Sequence, residues 1–286
     1  MKRFFILASA AIVALASCAK TEVVYKDAPE KITFKQVADV MTKADPVYLT
    51  TDLGVYAYQG GTKHFENFKF VEGTDANDNL WANDNAYWPY EGTLDFVVYA
   101  PHSANASYLS NKLTVTGVTA TDKLYYGAKK YAGVEKRAGV PVSLKHMSSK
   151  ITVNFSATAP YEITNVTLNS VATQGSVEVD YTTAESPVVT ANPSNNTALE
   201  FDNEGVKYIL PGNQTFFTIV FTQGDLEFTK KIDLADNDVT WDANTAYTYN
   251  ITLSASDKIT FSATVANWDE ETAVNKDQGD LTNIYQ

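Results

Sequence analysis

Few side chains in this chain could do chemistry, and their spacing does not suit most reactions. Three histidines, His64, His102 and His146, lie in separate segments. None has a serine, cysteine or aspartate at a spacing that suggests a nucleophilic triad or a metal pair. Cys18 is the one cysteine, so it has neither a disulfide partner nor a second thiol to share a metal. Asp75-Ala76-Asn77-Asp78-Asn79-Leu80 starts like a calcium loop. It lacks the glycine at its sixth position and has Ala86 where a bidentate glutamate is needed. Asp233-Leu234-Ala235-Asp236-Asn237-Asp238 is weaker still. These observations predict no enzyme, no metal and no cofactor. Two other chemistries remain. Trp81, Tyr87, Trp88 and Tyr90 crowd together; exposed, Trp81, Trp88 and Tyr90 would form a platform for stacking sugar rings, and buried they would fill a core. Met41-Thr42-Lys43-Ala44-Asp45-Pro46 is a polar, proline-ended segment that a protease could enter.

The elements around these residues begin with an export signal. Lys2 and Arg3 precede an apolar run too short for a secure bilayer span, with small residues near its end. Leu15-Ala16-Ser17-Cys18 resembles the lipobox of bacterial lipoproteins, in which the cysteine is acylated and becomes the first mature residue. The resemblance implies removal of residues 1–17 and a membrane anchor on Cys18. Removal leaves 20 basic against 34 acidic residues, a formal charge near −14. A chain so acidic has nothing to release phosphate counterions, which excludes nucleic acid as a partner. It suits a soluble surface protein.

Without disulfides the body must build its own core, and about 240 residues can do so, as two domains. From Tyr48 onward the chain runs in short alternating stretches of Thr, Val, Tyr, Phe and Ile between turn residues such as Gly60-Gly61 and Pro211-Gly212-Asn213. Leu53–Tyr58, Phe65–Val71, Gly92–Pro101, Lys150–Ser156, Tyr161–Val171, Ser176–Tyr181, Phe216–Phe221, Tyr247–Leu253 and Lys258–Val265 all suit strands. Helical candidates are limited to Val37–Thr42 and Ala104–Ser110. The expected fold is all-β, two antiparallel β-sandwich domains. Residues 44–150 and 151–286 form the domains, the second with an acidic tail, after a pro-segment 18–43. That pro-segment holds one short alternating strand in which Ile32 and Phe34 share a face.

Trp81…Tyr87-Trp88-Pro89-Tyr90-Glu91-Gly92-Thr93-Leu94-Asp95-Phe96-Val97-Val98-Tyr99-Ala100-Pro101 resembles a hallmark of the fimbrillin-like family, subunits of type V pili of Gram-negative gut and oral anaerobes. Leu144-Lys145-His146-Met147-Ser148-Ser149-Lys150, Tyr208-Ile209-Leu210-Pro211-Gly212, Trp241-Asp242-Ala243-Asn244-Thr245-Ala246-Tyr247-Thr248-Tyr249 and Val265-Ala266-Asn267-Trp268 resemble further family segments in the same order.

The resemblance implies sandwiches of transthyretin-like topology and export to the outer membrane through the acylated cysteine. It also implies a proteolytic cut after the first strand, which opens a groove that another subunit's strand fills. The matching bond here is Lys43–Ala44, with lysine where the family's usual cut follows arginine; Arg137 is the only arginine of the mature region. Ile32 and Phe34 would then be plugs of a removable strand. The chain's own donor candidate is Lys258–Val265, with Ile259, Phe261, Ala263 and Val265 on one face, which equally suits the last strand of its own domain. Asp269–Gln286 has a weaker pattern. The implied partners are other pilus subunits by strand exchange, the outer membrane, and a host or bacterial surface glycan or protein. The alternative is an unprocessed lipoprotein that holds glycans on its aromatic patch or anchors a pilus.

Overall fold

The computed structural model describes residues 29–37, 50–73, 80–183, 187–234, 240–256, 258–268 and 274–276, the last for the backbone only. These residues form strands and turns, with no helix among them. The all-β expectation holds, and the strands build packed, mostly antiparallel sheets.

The N-terminal sheet takes β1 (Lys31–Gln36), β2 (Leu53–Gln59), β3 (Thr62–Glu72), β4 (Leu80–Tyr87) and β5 (Leu94–Ala100). After β6 (Ala106–Leu109) and β7 (Lys112–Thr119), which join another sheet, it adds β8 (Tyr125–Gly127), β9 (Tyr131–Val134), β10 (Val140–Val142) and β11 (Leu144–His146). Its order is β10-β1-β4-β3-β2-β5-β8-β11, with β9 on β5. Its two ends, β10 and β11, are consecutive pieces of chain separated only by Ser143. The sheet therefore closes on itself: one segment pairs with β1 before Ser143 and with β8 after it. The enclosed core holds Ile32, Phe34, Leu53, Val55, Phe70, Trp81, Leu94, Phe96 and Val98.

β2 and β5 are apolar on both faces, as strands between two layers must be. Their second face carries Tyr56, Val97 and Tyr99, which pack on Leu113, Val115, Val177, Val179 and Tyr181. Those partners sit on β7 and on, or just after, β13 (Tyr161–Asp180), a 20-residue strand. The chain continues with β12 (Ser149–Ala157) before β13, then β14 (Val188–Phe201), β15 (Gly205–Ile209), β16 (Gly212–Asn213), β17 (Phe216–Gln223), β18 (Leu226–Asp233), β19 (Thr240–Trp241), β20 (Thr245–Leu253), β21 (Ile259–Asn267) and β22 (Val274–Lys276). β14 lines one edge of β13, while β17 and β7 share the other edge in succession. The opposing sheet runs β15-β12-β20-β21-β22. Between the two lies a core of Val166, Leu168, Phe217, Ile219, Tyr249, Ile251 and Phe261.

The length of β13 changes the domain picture. Its first half belongs to the C-terminal core and its second half, with Val177 and Val179, to the layer under β2 and β5. A division at residue 150 therefore cuts through one continuous sheet, β18-β17-β13-β7-β6. The expected separate strands Tyr161–Val171 and Ser176–Tyr181 are one. The helix expected over Ala104–Ser110 is β6: Ser110 and Asn111 both take positive φ, +53° and +64°, the turn that folds β6 back onto β7 as a hairpin.

Candidate functional site

The first strand is not an appendage. β1 lies inside the sheet, parallel to β10 with Phe34 opposite Val140, and antiparallel to β4 with Phe34 opposite Trp81. The apolar–polar alternation read from Ile32-Thr33-Phe34 puts both apolar side chains inward, and each is fully buried. Phe34 meets two rings edge-on, Phe70 of β3 at 4.9 Å and Phe96 of β5 at 5.1 Å between centroids. Edge-to-face contact is the favoured aromatic geometry, and it ties β1 to strands that are not its ladder neighbours.

Polar contacts fix the register. The Trp88 N–H donates to Glu30 O and the Val37 N–H to Val142 O, each at 2.9 Å. The Gly139 N–H donates to Thr33 Oγ1 at 2.9 Å, from a backbone at φ +62° where a side chain would be strained. Lys31 Nζ donates to Asp84 at 2.6 Å and Lys136 pairs with Glu30 at 3.1 Å. The hydrogen bond from Lys31 holds the Asp84 carboxyl below its ordinary pKa. Because the Val142 carbonyl points at β1, Pro141 turns its backbone to the outer side of β10, where it offers no N–H. That side is poor for adding a strand.

A second convergence lies at the junction of the layers. The Trp268 indole lies on the His146 imidazole, and its other neighbour in the stack is Tyr208, 5.4 Å away and nearly parallel. His146 also packs against Tyr125 at 4.6 Å. Asn244, at φ +56°, accepts from the His146 N–H with its side chain at 2.9 Å and from the Trp268 N–H with its carbonyl at 3.0 Å. Four segments far apart in sequence, containing His146, Tyr208, Asn244 and Trp268, thus meet at one point. Burial pushes the His146 imidazole down to about 4, with Asp122 opposing and Lys150 assisting.

The aromatic platform requires a correction. Trp81 and Trp88 are 1% and 5% exposed, and only Tyr90, at 68%, faces solvent. Trp81 donates its indole N–H to Thr51 O and Trp88 packs edge-on to Phe96, so the tryptophans are core rather than a surface for sugars. Ile259, Phe261 and Ala263 are buried in the C-terminal core with Val265 half-buried against it. β21 pairs with β20 along its whole length, so here the segment is a strand of its own domain. His64 and His102 contact the backbone oxygens of Tyr87 and Asn67. Cys18, Lys43, Ala44, the stretch Asp75–Asn79 and most of the tail lie outside the described residues. Among the described residues no cluster of metal-ligating groups occurs. An open cleft of about 580 Å3 between β13–β14 and β16–β19 is lined by Ser170, Val189, Asn196, Pro211, Trp241 and Asp242 among others, with no histidine, lysine or cysteine in its lining.

Sequence reasoning did not find Asp84, Gly139, Phe70 or Phe96 as the walls of the β1 slot. Their link to β1 is pairing across 36 to 106 residues, and no local pattern marks it.

Comparison with known proteins returns a fimbrillin-like family model matching residues 42–268. The matched span ends at Trp268 and begins after β1. Among solved structures, the chain resembles a putative cell adhesion protein of Bacteroides uniformis, with TM-score 0.56, 17% identity, and 83% of this chain and 99% of that chain covered. A putative cell adhesion protein of Bacteroides ovatus gives TM-score 0.55 and 16% identity, with 86% and 100% covered. No curated protein matches the sequence.

Proposed function

The chain belongs to the fimbrillin-like family, a family of structural, non-enzymatic proteins, and from that premise we propose that it is an adhesive subunit of a surface fimbria assembled by strand exchange. It is exported as a lipoprotein, held in the outer membrane by acylated Cys18, and cut at Lys43–Ala44. The cut frees β1 to leave, and a strand of another subunit takes its place.

The observation that supports this most is the position of β1. It is one short strand, joined to β2 by the segment that contains the cut, yet it supplies two fully buried plugs to the closed N-terminal core. Burial of Ile32 and Phe34 is worth ~3–6 kcal/mol at ~1.5–3 kcal/mol each. Its departure uncovers ladder groups on β4 and β10 and opens the sheet between them. Such an edge demands a replacement, and β-augmentation supplies one.

A second reading is an unprocessed anchor or accessory subunit. It is favoured by Lys43 where the family's usual cut follows arginine. Surface expression of the native chain and of Lys43→Ala separates the two. The proposal expects heat-resistant oligomers from the native chain and their loss in Lys43→Ala; equal behaviour of both chains, with no oligomers, would leave the anchor.

A further inference from the structure

Trp81 and Trp88 are core, but the open cleft of about 580 Å3 offers a different surface to a ligand. It lies beside the middle of β13, and both cores that this strand joins reach its walls. Leu210 belongs to the core under β2 and β5, and Trp241 to the C-terminal core. A junction between packed units is a common place for a small-molecule site, and this volume is in the usual range.

The cleft has an apolar floor and a polar rim. Ala172, Val189, Ala191 and Leu210 belong to, or pack on, the core under β2 and β5. Around them stand Ser170, Asn196, Asn213, Thr215, Thr240 and Asp242. Part of this rim is fixed by the protein itself. Thr215 Oγ1 donates to Asn169 O at 2.6 Å, and Thr240 Oγ1 donates to Asp242 Oδ1 at 2.8 Å. The Asp242 N–H donates to the Tyr247 hydroxyl, which donates on to Thr240 O, each at 2.9 Å. The rest of the rim is open to a ligand. The Ser170 hydroxyl and the Asn196 and Asn213 amides are exposed and make no hydrogen bond to the described residues. Ser170 takes φ +56° within the irregularity of β13 between Leu168 and Val171, and such bulges re-aim side chains.

The lining contains no lysine, arginine or histidine, and Asp242 is its one charged group. An anionic ligand would meet a carboxylate and no counter-charge. Hydroxyls and amides both donate and accept, which matches a ligand dense in hydroxyls. The apolar floor matches the C–H face of a sugar ring. An extended peptide fits less well, because Pro193 and Pro211 carry no N–H and the walls offer no unbroken ladder.

We infer that this cleft binds a short segment of neutral glycan. The C–H face of a ring rests on Ala172, Val189 and Leu210, and its hydroxyls bond to Asn196, Asn213 and Asp242. The inference rests on the adhesive part of the reading above, to which it adds a ligand class and a place. It does not depend on strand exchange.

The uncut chain carrying Cys18→Ser is applied to an array of neutral oligosaccharides of glucose, galactose, mannose and N-acetylglucosamine. Sialylated glycans, sulfated glycans and extended peptides share the array. The expected result is binding to at least one neutral glycan in preference to the acidic glycans and the peptides. Asn196→Ala with Asn213→Ala should weaken that binding at least about tenfold, the scale of losing two neutral hydrogen bonds. Both side chains are exposed, so the variant should keep nearly native stability. Tyr90→Ala, at the exposed member of the aromatic group, should leave binding unchanged. In the native chain, hydrogen exchange with the bound glycan present should slow at Gly212–Asn213 and Thr240–Trp241. Failure to bind any neutral glycan overturns the inference, as does a preference for acidic glycans or peptides. Binding that survives the double substitution, or protection that maps away from the cleft, also overturns it. None of these results touches strand exchange, because the chain under test keeps β1.

Discussion

The indole of Trp268 lies flat on the imidazole of His146, with ring centroids 3.9 Å apart and planes within 10°. Trp268 directly follows β21 and ends the family-matched span, and His146 ends β11, one limb of the closed N-terminal sheet. This stack, continued to Tyr208, joins the C-terminal strands to the N-terminal sheet.

Stability should therefore fall in mild acid. Burial lowers the folded-state pKa of His146 to about 4, against about 6.5 for an unfolded histidine. The unfolded chain takes up the proton first. The contribution of the neutral imidazole is complete above about pH 6.5 and is lost as pH falls toward 4, by up to about 3 kcal/mol. Urea denaturation at several pH values checks this. The stability difference between the native chain and His146→Gln should narrow by about 2–3 kcal/mol from pH 7 to pH 4.

Trp268→Ala should destabilise the junction by about 3 kcal/mol, in the range of large aromatic truncations. Trp268→Phe, which keeps a stacking ring, should recover more than half of that. Hydrogen exchange should show added opening at the Trp268 and His146 amides, which both donate to Asn244.

Phe34→Ala should cost the uncut chain about 3–5 kcal/mol, because the cavity lies between two rings fixed by other strands. Phe34→Leu should cost about 1–2 kcal/mol. Chemical denaturation with β1 still attached gives both values. After verified loss of β1 the two variants and the native chain should be indistinguishable.

Gly54→Ala should destabilise by about 2–3 kcal/mol. A methyl group there would come 2.1 Å from Cε1 of Tyr99, and that ring is held by its hydroxyl, which donates toward Asn67 and Ser103. In a double-mutant cycle Tyr99→Val should cancel much of the cost, since the two sites are in contact.

Much of this architecture was legible in the sequence. Alternation in Ile32-Thr33-Phe34 and in Ile259-Thr260-Phe261 gave the buried faces of β1 and β21, because a half-buried strand needs it. The stretch now seen as β14 did not read as a strand, since Asn192-Pro193-Ser194-Asn195-Asn196 looks like a loop. It is tolerated because β14 lies on one side of β13 only and its middle is exposed. For Trp81 and Trp88 the sequence favoured core over a surface platform but did not decide it, because composition carries no information about which face a tryptophan takes. The walls of the slot were invisible: Asp84 and Gly139 matter through one partner strand each, placed there by tertiary pairing.

The central claim is that β1 is exchanged, and the mass of the surface-exposed protein, taken from heat-resistant oligomers and from the membrane fraction, tests it most directly. Strand exchange predicts that the chains in oligomers begin at Ala44, with residues 18–43 and their acylated Cys18 absent. If every chain at the surface begins at acylated Cys18 and no heat-resistant oligomer forms, β1 is a permanent strand and the account is wrong.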